Sequence, residues 1–225
     1  MSVSERPEAT DRVAVVLDGS IEAVVFDLGG VLIDWNPRHL YRQLFADEAD
    51  MEDFLANVCS PSWHRQHDLG RDMAESCVEL TATYPEHGEH IRAWVERNDE
   101  MVRGVIDGSV EILADLRSRG VPCYLLSNME SETFPRRMER FSFLRWFDGY
   151  VVSGHEGIAK PDPEVFQLLL ERFDLEAART IFVDDVRENV EAATRVGLQS
   201  VLFDSPAGLR AHLESAGLLP PDEGE

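Results

Sequence analysis

Four short stretches put chemically capable side chains directly behind, or between, apolar runs. Asp27 follows Ala23-Val24-Val25-Phe26, Ser127 and Asn128 follow Tyr124-Leu125-Leu126, and Asp184 and Asp185 follow Ile181-Phe182-Val183. Lys160 stands in Gly157-Ile158-Ala159-Lys160-Pro161-Asp162-Pro163. Taken singly, each is an ordinary turn or cap residue. Together they pose an electrostatic problem, because three carboxylates at one sheet edge repel each other unless a divalent cation and a lysine neutralise them. That set suits Mg²⁺, a hard cation that takes one or two carboxylates together with phosphate and water. Lys160 is also the only lysine among 21 basic residues. A compact ammonium on a flexible stem enters small pockets that a planar guanidinium does not.

The elements that must position these residues are readable from periodicity. Ala23 to Phe26, Tyr124 to Leu126, Tyr150 to Val152, Thr180 to Val183 and Ser200 to Phe203 are short runs without polar alternation, as strands covered on both faces of a parallel sheet are. Helical spacing lies between them over Asp107 to Gly120, Val165 to Arg172, Val186 to Val196 and Pro206 to Ser215. Strand and helix in alternation predict an α/β fold, a doubly wound parallel sheet, in which ligands bind beyond the carboxyl ends of the strands where the strand order reverses. All the stretches above fall at such ends or lead into a helix.

Residues 37–104 differ, with no strand-like run and with helical spacing over His39 to Ala46, Ala49 to Val58, Met73 to Thr83 and His90 to Val102. This predicts an all-helical insertion behind the first strand. The expected organisation is a flexible tail over 1–20, an α/β core over 21–36 and 105–225, and a helical cap over 37–104.

The chain has 225 residues with 21 basic and 43 acidic side chains, a net charge of −22. So negative a chain repels a polyanion, which argues against nucleic acid as a partner. No apolar run approaches the roughly 18 residues of a membrane span, so no membrane association is expected. No basic start followed by an apolar block marks a secretory signal, and a cytoplasmic location is expected. Cys59, Cys77 and Cys123 are odd in number and far apart, and are expected to be reduced, packed thiols.

The ordered set Phe26-Asp27-Leu28-Gly29-Gly30-Val31-Leu32, Leu126-Ser127-Asn128, Lys160-Pro161-Asp162-Pro163 and Val183-Asp184-Asp185-x-x-x-Asn189 resembles the four motifs of the haloacid dehalogenase-like (HAD) hydrolase superfamily. The resemblance covers roughly residues 21–205 and extends to the members with a helical cap behind the first motif. It implies a HAD-like, Rossmannoid core and a Mg²⁺-dependent phosphatase acting on a small phosphorylated metabolite such as a sugar phosphate, through an aspartyl-phosphate intermediate. Asp27 would be the nucleophile. Asp27, the backbone carbonyl of Gly29 and Asp185 would hold Mg²⁺, with Asp184 in support and Asn189 orienting that shell. Ser127 and the backbone N–H of Asn128 would bind phosphate oxygens, and Lys160 would serve both phosphate and nucleophile.

One position departs from the common pattern. Many phosphatases of the superfamily carry a second Asp, an acid and base, two residues after the nucleophile; here Gly29 stands there. The resemblance to sugar-phosphate phosphatases with an Asp-x-Gly first motif implies that activity survives this change. General acid–base help is worth about 10²–10⁴-fold, so its absence predicts a rate that depends steeply on leaving-group acidity. Asp34, His64, His67 and Asp68 are candidate replacements by residue type. Two further readings remain: a metal-independent 2-haloacid dehalogenase, which the retained Asp184-Asp185 pair argues against, and a catalytically retired binder of a metabolite or partner. The stretch Trp63-His64-Arg65-Gln66-His67-Asp68-Leu69-Gly70-Arg71 reads as a polar loop facing substrate, and Trp35 is a second candidate for contact with it.

Overall fold

The computed structural model describes residues 20–221. Strands β1 (Ala23–Phe26), β4 (Cys123–Ser127), β5 (Gly149–Val152), β6 (Thr180–Asp184) and β7 (Gln199–Leu202) form one sheet in the order β5-β4-β1-β6-β7. Every pairing in it is parallel. The chain builds outward from β1 to β5 on one side, then returns to build β6 and β7 on the other, so the order reverses at β1.

The apolar runs lack polar alternation because both faces of the sheet are covered. Val24, Phe26, Leu125, Ile181 and Val183 enter one core cluster, while Val25, Leu126, Val151 and Phe182 enter another on the opposite face. Side chains of successive strand residues point to opposite faces, so an unbroken apolar run feeds two cores. Helices α6 (Asp107–Ser118) and α11 (Pro206–Ser215) supply Leu113, Leu116, Leu209 and Leu213 to the first. Helices α9 (Pro163–Arg172) and α10 (Arg187–Val196) supply Val165, Phe166, Ala192 and Ala193 to the second. Helix α9 begins as Asp162-Pro163 signals: Asp162 accepts the Glu164 N–H at 3.0 Å and Pro163 occupies the first turn,.

The segment after β1 is helical, with α1 (Arg38–Tyr41), α2 (Glu48–Asn57), α3 (Pro61–Asp68), α4 (Met73–Thr83) and α5 (Gly88–Glu96). It has its own core, in which Tyr41, Phe54, Trp63, Ile91 and Trp94 are buried together. Two expectations are corrected here. The helix read over His90 to Val102 stops at Glu96, a 3₁₀ turn covers Asn98–Met101, and Val102–Val105 is strand β3. Strand β3 pairs antiparallel with β2 (Ile33–Trp35), Ile33 opposite Val105 and Trp35 opposite Val102. A strand therefore lies at the end of the segment read as all-helical: Val102 and Val105 are β-branched, and β2 offers them a partner edge. Residues 63–68 of the stretch read as a polar loop lie in helix α3 instead. Its start signal is conventional: Pro61 at the first position and Ser60 Oγ accepting the Trp63 N–H at 3.3 Å.

Helices α7 (Thr133–Arg140) and α8 (Ser153–Glu156) complete the fold. Trp35 packs against both the main core and the helical one. Buried Arg137 ties the two together, pairing with Asp99 and donating to Asn98 Oδ1 at 2.7 Å. The tail reading over 1–20 lies, except for Ser20, outside the described residues.

Candidate active site

The carboxyl ends of β1, β4 and β6 meet where the strand order reverses, and a cavity of about 380 Å³ opens there. Asp27, Gly29, Ser127, Asn128, Lys160 and Asp185 all line it. Oxygens of Asp27, Asp184 and Asp185 lie within 4.8 Å of one another.

Lys160 holds this cluster from inside. Its side chain is 1% exposed, and Nζ meets three acceptors: Asp184 Oδ2 at 2.7 Å, Asp27 Oδ1 at 2.9 Å and the Leu126 carbonyl at 2.9 Å. An ammonium has three N–H donors, and all three have a partner. Burial pulls the Lys160 pKa down, but the charges of Asp27 and Asp184 and their hydrogen bonds outweigh it, so the net shift is upward and the group is cationic. The loop carrying it is fixed by Asn128, whose Nδ2 donates to the Lys160 carbonyl and whose Oδ1 accepts the Lys160 N–H, both at 2.9 Å. The Asn128 side chain is thus committed to the protein, leaving its backbone N–H for a ligand.

The two neighbouring aspartates divide their work. Asp184 is fully buried and accepts from Lys160, from Asn189 Nδ2 at 3.0 and 3.1 Å, and from the Val186 N–H at 2.8 Å. It organises the site and also holds the backbone turn that leads into α10 through the Val186 N–H. Asp185 is exposed beside it and lines the cavity. Asn189, expected to orient the metal-binding shell, bonds Asp184. Asp27 Oδ1 accepts from Leu28 N–H at 2.6 Å and from Lys160, whereas among the described residues Oδ2 has no donor.

Burial, offset by Lys160 but reinforced by Asp184 and Asp185, pushes the Asp27 pKa up from 3.8 to about 7. Burial and Asp184 also raise that of Asp185. Three carboxylates served by one ammonium form an undercompensated site. An all-oxygen donor set short of positive charge fits a hard divalent cation, and Mg²⁺ is of that kind. Gly30 shows how closely the site is built. Its φ is +74°, and a Cβ there would stand 2.1 Å from Asp185 Oδ2. Gly30→Ala is therefore expected to displace Asp185 and add backbone strain of about 1–3 kcal/mol. A lower midpoint in chemical denaturation, with loss of any Mg²⁺-dependent rise in melting temperature, is the outcome to look for.

The helical segment after β1 contributes to the other wall. His64 on α3 places Nε2 3.2 Å from Glu130 Oε1 and 3.9 Å from Asp68 Oδ1, and its ring stacks on Trp35 with centroids 5.3 Å apart and planes at 15°. Arg65 Nη1 donates to the Lys160 carbonyl at 3.1 Å. Trp35, His64, Asp68, Glu130 and Arg137 all line the cavity. His67 does not: it is fully buried, and among the described residues both ring nitrogens lack hydrogen-bond partners. Asp34 turns to His39 at 2.9 Å and lies outside the cavity lining. The sequence singled out neither Glu130 nor Arg137: Glu130 lies in the turn before α7, and Arg137 is one of several charged residues between the core-facing Phe134 and Phe141.

Residues 21–197 match the haloacid dehalogenase-like hydrolases. The chain belongs to this family. It is 32% identical over 191 residues to a sesquiterpene phosphatase of Aspergillus oryzae, covering 84% of this chain and 93% of that protein. It is 30% identical over 203 residues to a ribulose-1,5-bisphosphate 5-phosphatase of Halopiger xanaduensis, covering 81% of this chain and 84% of that one. A solved HAD-family enzyme of Bacteroides thetaiotaomicron, in a magnesium complex, shares the fold with a TM-score of 0.65 at 19% identity, covering 83% and 94% of the two chains. The hydrolase has no helix among the described residues that is long and apolar enough to cross a membrane. Its three cysteines are buried and unpaired.

Proposed function

We propose that this hydrolase is a Mg²⁺-dependent phosphatase of a small phosphorylated metabolite, acting through an aspartyl-phosphate on Asp27. The observation that carries this reading is the buried Lys160 Nζ bridging Asp27 and Asp184, with the oxygens of three carboxylates within 4.8 Å. Asp27, the Gly29 carbonyl and Asp185 would hold Mg²⁺, which supplies charge neutralisation between an anionic nucleophile and an anionic phosphoryl group. With Oδ1 held by Leu28 and Lys160, Asp27 has Oδ2 left to attack phosphorus,. Ser127 Oγ, which has no hydrogen-bond partner among the described residues, and the Asn128 N–H would receive phosphoryl oxygens, and Lys160 would stabilise the charge that develops there. Residues 37–104 would form the cap closing over a core of 21–36 and 105–225. The relatives named for a sesquiterpene and a sugar bisphosphate bracket the leaving-group chemistry, and a sugar phosphate is the class we favour. The unpaired thiols agree with a reducing, cytoplasmic setting.

The test is phosphate release from an aryl phosphate, a panel of sugar phosphates and a prenyl monophosphate, with Mg²⁺ or with chelator. Turnover that falls at least about 100-fold in chelator is expected, the equivalent of losing several kcal/mol of charge stabilisation. Halide release from a 2-haloacid that ignores chelator would instead assign the dehalogenase reaction. Metabolite binding with no turnover of any ester would assign the retired binder.

A further inference from the structure

Resting on the phosphatase reading, we infer that His64 is the acid and base of the reaction, filling from the cap the role that Gly29 leaves vacant in the core. The geometry runs through Trp35. The φ of Gly29 is not in the left-handed range, and a Cβ built on it would meet only Trp35 Cβ, at 3.8 Å. A side chain at 29 would thus project toward Trp35, and the imidazole of His64 lies stacked on that indole. Position 29 and His64 thus both border Trp35 in the wall of one cavity.

His64 is held as a proton-transfer group needs to be. Trp35 stacks against its ring, Trp94 lies 5.2 Å away between centroids, and Nε2 is directed at Glu130 and Asp68. A carboxylate on one ring nitrogen fixes the tautomer and raises the basicity of the other. Among the described residues the second nitrogen, Nδ1, has no protein partner, and unlike both nitrogens of His67 it is not sealed from solvent. The ionisable groups around it are Glu130 from the core, and Asp68, His67 and Arg65 from its own helix. Burial lowers the His64 pKa, but the hydrogen bond to Glu130 and the charges of Asp68 and Glu130 outweigh it, for a net rise. His67 is driven down to about 4, by burial first and by His64 second, so it is neutral and competes for no proton near neutrality.

In the first half-reaction Asp27 Oδ2 forms a bond to phosphorus. The bond from phosphorus to the ester oxygen breaks with its electron pair on oxygen, and that oxygen takes the Nδ1 proton of cationic His64 and leaves as the alcohol. In the second, neutral His64 takes a proton from water as the water oxygen bonds to phosphorus. The bond to Asp27 breaks, and carboxylate, imidazolium and inorganic phosphate result. Ester plus water gives alcohol plus phosphate, with His64 restored. The steep dependence on leaving-group acidity expected from Gly29 alone then belongs to the variant without His64, not to the native chain.

Native protein, His64→Gln and Glu130→Gln, compared on an alkyl phosphate and on the phosphate of an acidic phenol, decide the matter. For His64→Gln, kcat/KM on the alkyl ester should fall about 10²–10⁴-fold, and on the aryl ester less than about tenfold. The aryl ester should also show a burst of one phenolate per site, because attack by water slows as well. In Glu130→Gln, where His64 survives, the alkaline limb of the alkyl kcat/KM profile should move to lower pH. NMR titration of the metal-free native protein should place the His64 imidazole above its ordinary pKa, and Glu130→Gln should lower it. Equal losses on both esters without a burst, or an alkaline limb and imidazole pKa that ignore Glu130→Gln, would reduce His64 to a cap contact while leaving the phosphatase reading intact. A native protein that cleaves neither ester overturns both readings.

Discussion

Asp27→Asn is expected to lower phosphate release by at least about 10⁴-fold, the scale on which removal of a nucleophile acts when the rest of its site survives. The substitution is close to isosteric. Asn Oδ1 still accepts from Leu28 N–H and from Lys160, the two bonds that fix the side chain, so the fold has no reason to fail. What is lost is the free anionic oxygen that attacks phosphorus. Stability should move the other way. Asp27 titrates near 7 in the metal-free protein against 3.8 when unburied, so the folded state binds more protons than the unfolded chain between those values. Folding stability therefore falls as pH rises through that window, and above it the protein bears the full cost of an ionised, crowded carboxylate. The amide has no such cost. In chelator at pH 8 the variant should melt above the native protein, by about 2–4 °C for each kcal/mol relieved. The gap should close near pH 4, where the native carboxyl is half protonated even when unfolded. Added Mg²⁺ should raise the native melting temperature, by linkage to a site that exists only when folded, and should leave the variant nearly unchanged. A variant keeping more than a hundredth of native turnover removes Asp27 from the chemistry.

How much of this was legible in the sequence follows from what kind of contact each feature depends on. The ends of β1, β4 and β6 were readable because a strand covered on both faces is an unbroken apolar run, and the first polar residue after it marks the carboxyl edge. That Asp27, Ser127 and Asp184 share one edge then follows from parallel topology alone. The split between Asp184 and Asp185 was not readable. Asn189 lies four residues after one and five after the other, and only the backbone turn into α10 decides which it reaches. Helix α3 carried its Ser60-Pro61 start signal, but the charged and imidazole side chains that follow looked like a loop because that helix packs through few residues, chiefly Trp63 and His67. The meeting of His64 with Glu130, 66 residues apart, depends on how the cap sits over the core, and no local pattern encodes that.

Lys160→Arg should cost at least about 100-fold in turnover although formal charge is kept, and it should also destabilise the protein. The pocket is built for a point charge: Nζ has three acceptors around it at 2.7–2.9 Å, from β4, from β6 and from the residue that follows β1, and the side chain is 1% exposed. A guanidinium is larger and planar, and spreads its donors in a fork that serves two oxygens of one carboxylate better than three oxygens from three separate residues. Accommodating it means pushing β1 and β6 apart or turning Asp27, an overpacking cost of about 1–3 kcal/mol. Lys160→Met separates charge from size, since it keeps the stem and removes the ammonium. It strands Asp184, fully buried with only Asn189 and a backbone N–H left as donors, and breaking a buried pair costs about 3–5 kcal/mol. The order of stability should therefore be native, then Arg, then Met, while both variants are nearly inactive on every ester. Measured together, urea midpoints and turnover distinguish a requirement for charge from a requirement for an ammonium. An Arg variant with native turnover would show that the lone lysine of this chain answers to charge alone.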